Sequence, residues 1–350
     1  MPLPRSSALT VRHRRASSAP PQRVLTRLRL LSACGLLLLA AGGCGSAETD
    51  ADATAEGSGT PVTLALNWFA EAEHGGYIAA RELGLYEAAG LTVDIRRGGP
   101  GAAETAVKEL AAGRIQFAVS SADLVIEARA KGVPVVALAA PLQHSPRCIM
   151  VHEASGFSSL NDLRDIELSM SDTRGFALWL KHKVPLTNVT VVPFSGSVGE
   201  FLLKQDFAQQ GYVFSEPFVA REKGGDPQSL MLSDIGYDPY SSILITTEAV
   251  IAEDPELVLS FVQASVAGWQ KYLAEPQAIN EAIHRDNDEM SLAALAYGVE
   301  AMQPLVGDAE TGCGMNVQRW QTLIGQLEEV GKIEAGSVTA EACFDVSFLP

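Results

Sequence analysis

The sequence predicts an α/β protein of two lobes, joined by two crossing segments and completed by a helical C-terminal part. Three observations carry that reading. Between 61 and 140, short apolar runs alternate with helix-period stretches, the pattern of a parallel sheet with helices on both faces. A second alternating block follows 148–152 and closes near 230–232. A further apolar, β-prone run at 241–246 then returns the chain, and from Glu253 onward the pattern is helical. The crossings are expected at 146–153 and 237–247. Lobe 1 is then 61–148 plus 242–350, and lobe 2 is 149–241. A ligand would bind in the cleft and the lobes would close on it by hinge motion.

The elements of the first block follow in order. Strands are expected at 62–66, 91–95, 115–119 and 135–140, and helices at 75–83, 102–112 and 122–130. Gly84 and Gly113 are fitting helix stops. Ser120 and Ser121 stand where the 122–130 helix needs a cap. Gly98-Gly99-Pro100-Gly101 has neither the dinucleotide fingerprint nor a following GK[ST], so it reads as turn chemistry.

In the second block, 157–163 reads as a short helix behind Ser158 or Ser159, 166–170 as a strand and 176–183 as a helix. Strand 189–192 leads through Ser195-Gly196-Ser197 to helix 198–203, and strand 212–214 leads through Ser215-Glu216-Pro217 to helix 218–223. Proline suits that early helical position. Further helices are expected from Glu253 through Tyr272, at 277–285, at 291–302 and at 317–330.

The amino terminus has its own signature. An arginine-rich leader reaches Arg29, and the apolar run 30–41 follows. At roughly a dozen residues this run is too short to span a bilayer but right for a signal-peptide core. It ends in Ala41-Gly42-Gly43-Cys44, which resembles a bacterial lipobox with Ala41 in place of the usual Leu. Residues 1–43 then form a lipoprotein signal peptide, Cys44 receives lipid, and 44–60 is a flexible tether. A conventional secretory signal with an incidental cysteine is the other reading.

Composition bounds the function. With 47% hydrophobic and 19% charged residues, the chain is globular rather than disordered. The net charge is −16, and removal of the leader's seven arginines deepens it to −23, which argues against nucleic-acid binding. No cysteine–histidine spacing resembles a metal site, and no Ser/His/Asp constellation supports a hydrolase. Cys148 lies in an apolar run and reads as a buried small hydrophobe. In an exported chain Cys313 and Cys343 can form a disulfide, worth about 3 kcal/mol, or remain two free thiols.

The stretch 64–86 is built like a ligand site at the carboxyl end of a strand. An apolar strand ends on Asn67-Trp68-Phe69, an acidic segment carries His74, and Gly75-Gly76 open a helix. The chain resembles the substrate-binding proteins of ABC importers, in the subgroup for thiamine pyrimidine precursors, nitrate, taurine and alkanesulfonates. The likeness covers 61–335 and rests on Leu66-Asn67-Trp68, Glu73-His74-Gly75, Tyr77, Ala79 and Gly84-Leu85-Tyr86. Gly113 to Ala118, Gly132 to Ala137 and Gly211 to Pro217 continue it, as G-x-x-D-F-[AG], G-x-P-V-V-A and G-Y-x-x-x-E-P. The chain departs at Asn67 and Gln116, where the thiamine-precursor branch carries Asp. The resemblance implies a periplasmic-binding-protein type II fold, a small-molecule ligand, no cofactor, and a permease with its ATPase as partners. The membrane is reached through the lipid anchor only, and the binding protein acts as a monomer.

Each candidate contact has two readings. Trp68 stacks on a flat heteroaromatic ligand or packs under a loop. Asn67 hydrogen-bonds a ring nitrogen or amine, or caps its turn. His74 touches ligand at the cleft mouth or is solvated. Glu216 accepts from an exocyclic amine or compensates a helix dipole. Ser120, Ser121, Ser195 and Ser197 offer hydroxyls and helix-start N–H groups to polar ligand atoms, or only cap. Tyr240 covers the ligand or packs the hinge. Arg174 pairs with an anionic ligand or is a surface arginine.

The leading expectation is a receptor for a thiamine pyrimidine precursor, with a sulfonate, taurine or nitrate-type anion, or a riboflavin-like ligand, as the alternative. A related branch makes the pyrimidine itself, using a lysine and a histidine after the G-x-x-D-F strand. Here 120–130 reads SSADLVIEARA and has neither, so an enzyme is not expected. An exported sensor on the same fold is a third reading.

Overall fold

The computed structural model describes residues 59–307 and 312–350. The leader at 1–43, Cys44 and the tether as far as 58 lie outside the described residues. Thr60, expected to end the tether, is already the first residue of a strand.

The chain runs β1 (Thr60–Ala65), α1 (Gly75–Glu82), α2 (Leu85–Ala88), β2 (Leu91–Arg96), α3 (Ala102–Ala111), β3 (Phe117–Ser120), α4 (Ala122–Ala130) and β4 (Val135–Ala139). It then crosses to β5 (Arg147–His152), β6 (Glu167–Ser169), α5 (Gly175–Lys183), β7 (Thr190–Val192), α6 (Gly199–Leu203), β8 (Phe207–Tyr212), α7 (Glu216–Glu222) and β9 (Pro227–Met231). It returns as β10 (Ile243–Thr247), followed by α8 (Glu248–Glu253), α9 (Pro255–Ala274), α10 (Gln277–Asp286), α11 (Leu292–Met302) and α12 (Val317–Glu329).

Two five-stranded sheets result, in the orders β2-β1-β3-β10-β4 and β7-β6-β8-β5-β9. The alternation read as all-parallel is mixed: β10 runs antiparallel to β3 and β4, and β5 antiparallel to β8 and β9. The physical reason is the crossing itself. β4 ends at the cleft, so a strand that begins there must run away from it. The first crossing therefore lies before Arg147, a few residues earlier than the expected 146–153, and Cys148 sits buried in the second sheet. The crossings pair with each other where the Ser241 N–H donates to the Leu142 carbonyl at 3.2 Å.

Two further differences bear on the site. The strand expected at 212–214 is instead Phe207–Tyr212. Its buried Gln209 and Gln210 broke the apolar pattern, and Gln210 Oε1 accepts the Ser171 N–H at 2.7 Å. The short helix expected at 157–163 is a single 3-10 turn, Leu160–Asp162, with Ser159 and Asp162 capping each other.

In lobe 1, α9 packs on α1 almost backbone to backbone. A Cβ on Gly76 would stand 2.1 Å from the Trp269 ring, and one on Gly268 2.2 Å from the Gly76 carbonyl oxygen. Phe261 of α9 stacks on Phe117 and Tyr86 with centroids 4.0 and 5.0 Å apart. The C-terminal helices do not belong to lobe 1 alone. Gln326 of α12 donates to the Gly236 carbonyl at 2.7 Å, and Tyr297 of α11 stacks on Phe218 of α7 at 4.8 Å.

The cysteine pair expected as a candidate disulfide is two free thiols. Cys343 lies alongside Ala137 and Cys313 alongside Ala140, each through a backbone hydrogen bond to β4 or its end. Three residues of extended chain hold them about 10 Å apart. Cys343 packs into one core cluster and Cys313 against the other.

Candidate functional site

A cleft of about 420 Å³ opens between the two sheets, lined from both lobes. Strand direction decides what lines it. The parallel strands deliver their carboxyl ends, and β5 delivers its first residue.

From lobe 1, the turn after β1 brings Asn67, Trp68, Glu71 and Glu73 to the wall. A chain of hydrogen bonds fixes this turn. The Glu71 backbone N–H donates to His74 Nδ1 at 3.3 Å. His74 Nε2 stands 2.8 Å from Asn67 Oδ1, and Asn67 Nδ2 donates to Glu73 Oε1 at 3.3 Å. Ser242 Oγ donates to the other Glu73 oxygen. Since Nδ1 accepts, Nε2 carries the proton, and His74 is neutral. Burial pushes its pKa down to about 3, so its 3.6 Å approach to Glu73 is not an ion pair. Asn67 thus stands where an ionised Asp would break the relay, because the amide both accepts from His74 and donates to Glu73, whereas a carboxylate only accepts. Gln116, the other departure, is structural: its Oε1 accepts the Thr63 N–H of β1 at 3.0 Å.

Three carboxyl groups gather on the wall. Glu71 and Glu73 are buried and Glu216 half-buried. Burial raises Glu71 well above the usual carboxylate range, and the charges of Glu73 and Glu216 add to that. Burial pushes Glu73 up to about 7, against hydrogen bonds from Ser242 and Asn67. Burial also raises Glu216, opposed by the Tyr212 N–H that donates to its Oε2 at 2.8 Å. Crowded, desolvated carboxyls hold protons because ionising all of them would concentrate negative charge in a poorly hydrated space.

Contacts cross the cleft. Ser215 Oγ of lobe 2 donates to Glu71 Oε2 at 2.8 Å. Arg174 reaches lobe 1, with Nη1 2.9 Å from Glu104 and Nη2 3.8 Å from Asp123. Gly196 holds φ +78° with the Trp68 ring 3.4 Å from where a Cβ would stand, so a side chain there would be strained and would crowd the indole.

Six of the expected site residues line the cleft: Asn67, Trp68, Ser120, Ser121, Arg174 and Glu216. Ser120 Oγ is buried with no hydrogen-bond partner among the described residues, an open polar point on the wall. Ser121 precedes α4, but its hydroxyl donates to Asp123 instead of capping. Arg174 is not a surface residue; two acids of lobe 1 engage its Nη atoms, while its buried Nε has no hydrogen-bond partner among the described residues.

The other four lie off the wall. His74 is fully buried behind Asn67, because the relay needs it there. Ser195 and Ser197 accept the N–H groups of Ser197 and Gly199, closing a turn that leaves Phe194 and Gly196 on the wall. Tyr240 packs the hinge, under the Arg319 guanidinium at 3.9 Å, and its hydroxyl accepts the Asn316 N–H at 3.1 Å.

Sequence reasoning missed Glu71, Glu73, Arg147 and Tyr212 as wall residues. The signal for the glutamates was a pair of acids between apolar residues directly after a strand tip. For Arg147 it was one charge heading an apolar run, misread as a crossing. Pro100 and Gly101, read as turn chemistry, also reach the wall.

A model of the family described as NMT1/THI5 like matches residues 71–279. The chain belongs to the NMT1/THI5-like family. Among curated relatives, the riboflavin-binding protein RibY of Chloroflexus aurantiacus is 26% identical, over 93% of this chain and 99% of the relative. The formylaminopyrimidine-binding protein of Halalkalibacterium halodurans is 24% identical, over 80% of this chain and 88% of the relative. Among solved structures, the alkanesulfonate-binding protein SsuA of Xanthomonas axonopodis pv. citri, bound to MOPS, superposes with a TM-score of 0.62. It is 12% identical, covering 82% of this chain and 99% of the other, and speaks for the fold. This NMT1/THI5-like chain therefore has the two-lobed type II periplasmic-binding-protein fold.

Proposed function

We propose that this protein is the extracytoplasmic, lipid-anchored receptor of an ABC importer and captures a small planar nitrogen heterocycle, foremost a thiamine pyrimidine precursor. The observation that carries the ligand class is the cluster of Glu71, Glu73 and Glu216 on the cleft wall. An aminopyrimidine edge sets an N–H donor beside a ring-nitrogen acceptor. A protonated carboxyl group matches that edge in full, accepting from the amine and donating to the ring nitrogen, whereas the ionised form accepts from the amine alone. Trp68 beside the cluster offers a face for stacking, and the unpartnered Ser120 hydroxyl a further polar point. The cleft volume lies in the lower part of the range for small-molecule sites.

A sulfonate or nitrate fits this wall poorly. It would add negative charge beside three carboxyl groups, and the two acids of lobe 1 already engage the Nη atoms of Arg174, which leaves Arg147 as the unpaired guanidinium it would meet. The relative that binds formylaminopyrimidine supports the leading reading, and the riboflavin-binding relative supports a larger heterocycle in the same cleft. The leader and Cys44 support anchoring outside the cytoplasm.

Thermal unfolding against aminopyrimidines, riboflavin, taurine and alkanesulfonates tests the proposal. A ligand at a hundred times its Kd adds about 2.7 kcal/mol of stability. Stabilisation by heterocycles and none by sulfonates is expected. Stabilisation by sulfonates alone overturns the reading. Trp68→Ala should weaken heterocycle binding about ten- to hundredfold, the range of aromatic stacking on a base.

A further inference from the structure

We propose that Arg147 reads a carbonyl oxygen of the ligand, so that the cleft selects heterocycles carrying both an amine edge and an oxo or acyl group. This rests on the heterocycle reading above and narrows it.

Arg147 is the first residue of β5 and lines the cleft where the chain enters lobe 2. Its guanidinium packs over two rings, 4.1 Å from the Tyr212 centroid and 4.8 Å from that of Phe176. Packing over ring faces leaves the N–H edge of the guanidinium as the part free to recognise a ligand. That edge carries up to five donors and no acceptor. Among the described residues, no carboxylate pairs with it and no side-chain hydrogen bond uses it, whereas Arg174 has both Glu104 and Asp123. Both rings belong to lobe 2, so the guanidinium is oriented before any ligand arrives, which lowers the ordering cost of binding.

The surroundings choose among acceptors. An anion would satisfy the guanidinium but would face Glu71, Glu73 and Glu216. A neutral carbonyl takes the N–H edge without adding charge. The carboxyls and the guanidinium then address two different edges of one planar molecule, donors toward the acids and an acceptor toward Arg147. Left unfilled, the guanidinium loses hydration without return, so a ligand lacking the acceptor is penalised.

The test uses two isosteric probes, 5-acetyl-4-amino-2-methylpyrimidine and its 5-isopropenyl analogue, which exchange C=O for C=CH2. Isothermal titration of the wild-type chain should favour the acetyl probe by about ten- to hundredfold, the worth of a hydrogen bond to a charged group. In Arg147→Met, which keeps an unbranched chain over the rings, the preference should fall to within about threefold while the isopropenyl probe still binds. Arg147→Lys, which keeps the charge and loses the planar fork, should retain only part of the preference. Trp68→Ala should weaken both probes together and leave their ratio intact. Equal wild-type affinities overturn the inference and leave the heterocycle reading standing. A preference that survives in Arg147→Met overturns the role of Arg147. If neither probe binds the wild-type chain, both fail.

Discussion

Lobe 1 supplies its hydrogen-bond relay from one continuous stretch, Asn67 to His74, whereas lobe 2 draws Arg147, Arg174, Tyr212 and Glu216 from the ends of four elements. The two walls are accordingly held by different forces. On the lobe 1 side, neighbouring residues orient one another through directed hydrogen bonds, and the whole turn rides on α1, which is pressed against α9. On the lobe 2 side, orientation comes from ring packing and from bonds that reach across the cleft. A wall of the first kind is rigid through its own backbone; in the second, Arg147 and Glu216 are held within their own lobe, and Arg174 and Ser215 depend on the lobes being together.

The largest expected effect tests the lobe 1 scaffold. Gly76→Ala drives a methyl into the Trp269 ring and should cost about 3 kcal/mol in urea unfolding, since backbone and a large buried indole must both yield. A loss under about 0.5 kcal/mol would show that α1 slides freely on α9 and that the wall is not held from behind.

An intermediate effect separates the two titrating neighbours inside the relay. Glu73 has its pKa raised from 4.5 to about 7, so the folded state binds the extra proton. Its contribution is fully present below 4.5 and is lost as pH rises through about 7. His74 has its pKa lowered from 6.5 to about 3, so the unfolded state binds the extra proton; its contribution is present above 6.5 and lost as pH falls toward about 3. Between 4.5 and 6.5 the two oppose each other. Relative to wild type, Glu73→Gln should lose stability on acidification across that window, by about 1 kcal/mol per pH unit, and His74→Gln should gain it. Denaturant midpoints at several pH values measure both. Parallel profiles for the two variants would sink the assignment of a neutral, buried His74.

The smallest effect falls on the cross-cleft contacts. Ser215→Ala removes the hydroxyl that donates to Glu71 and should weaken lobe closure by about 1 kcal/mol with both sheets intact. Small-angle scattering of the unliganded chain should then give a larger mean radius than wild type. An unchanged radius would mean that the hinge and α12, and not the contacts between the walls, hold the lobes together.

Much of the architecture was legible in the sequence, because strand and helix periodicities are local. The helix at 122–130 was read to the residue, and α1, α3 and α5 within a residue or so at each end. Asn67, Trp68 and Glu216 were read as wall residues because each follows a strand end, where α/β proteins place their sites. What escaped was governed by strand direction. Arg147 heads an apolar run in any register, but it faces the cleft only because β5 starts at the crossing and runs antiparallel to its neighbours. The sequence leaves His74 as a ligand contact at the cleft mouth or a solvated side chain, while its partners Asn67 and the Glu71 N–H hold it buried behind the wall.

The sequence by itself determined the order of the elements, the two-lobed plan and the strand-tip stretch at the start of the cleft, since these follow from hydrophobic period and turn chemistry along the chain. Only the tertiary structure decided which charges remain available in the cleft. Arg174 and Arg147 look alike in the sequence. Acids contributed by the opposite lobe engage the first, and two rings of its own lobe leave the edge of the second open, because pairing and desolvation depend on groups that meet only when the chain has folded.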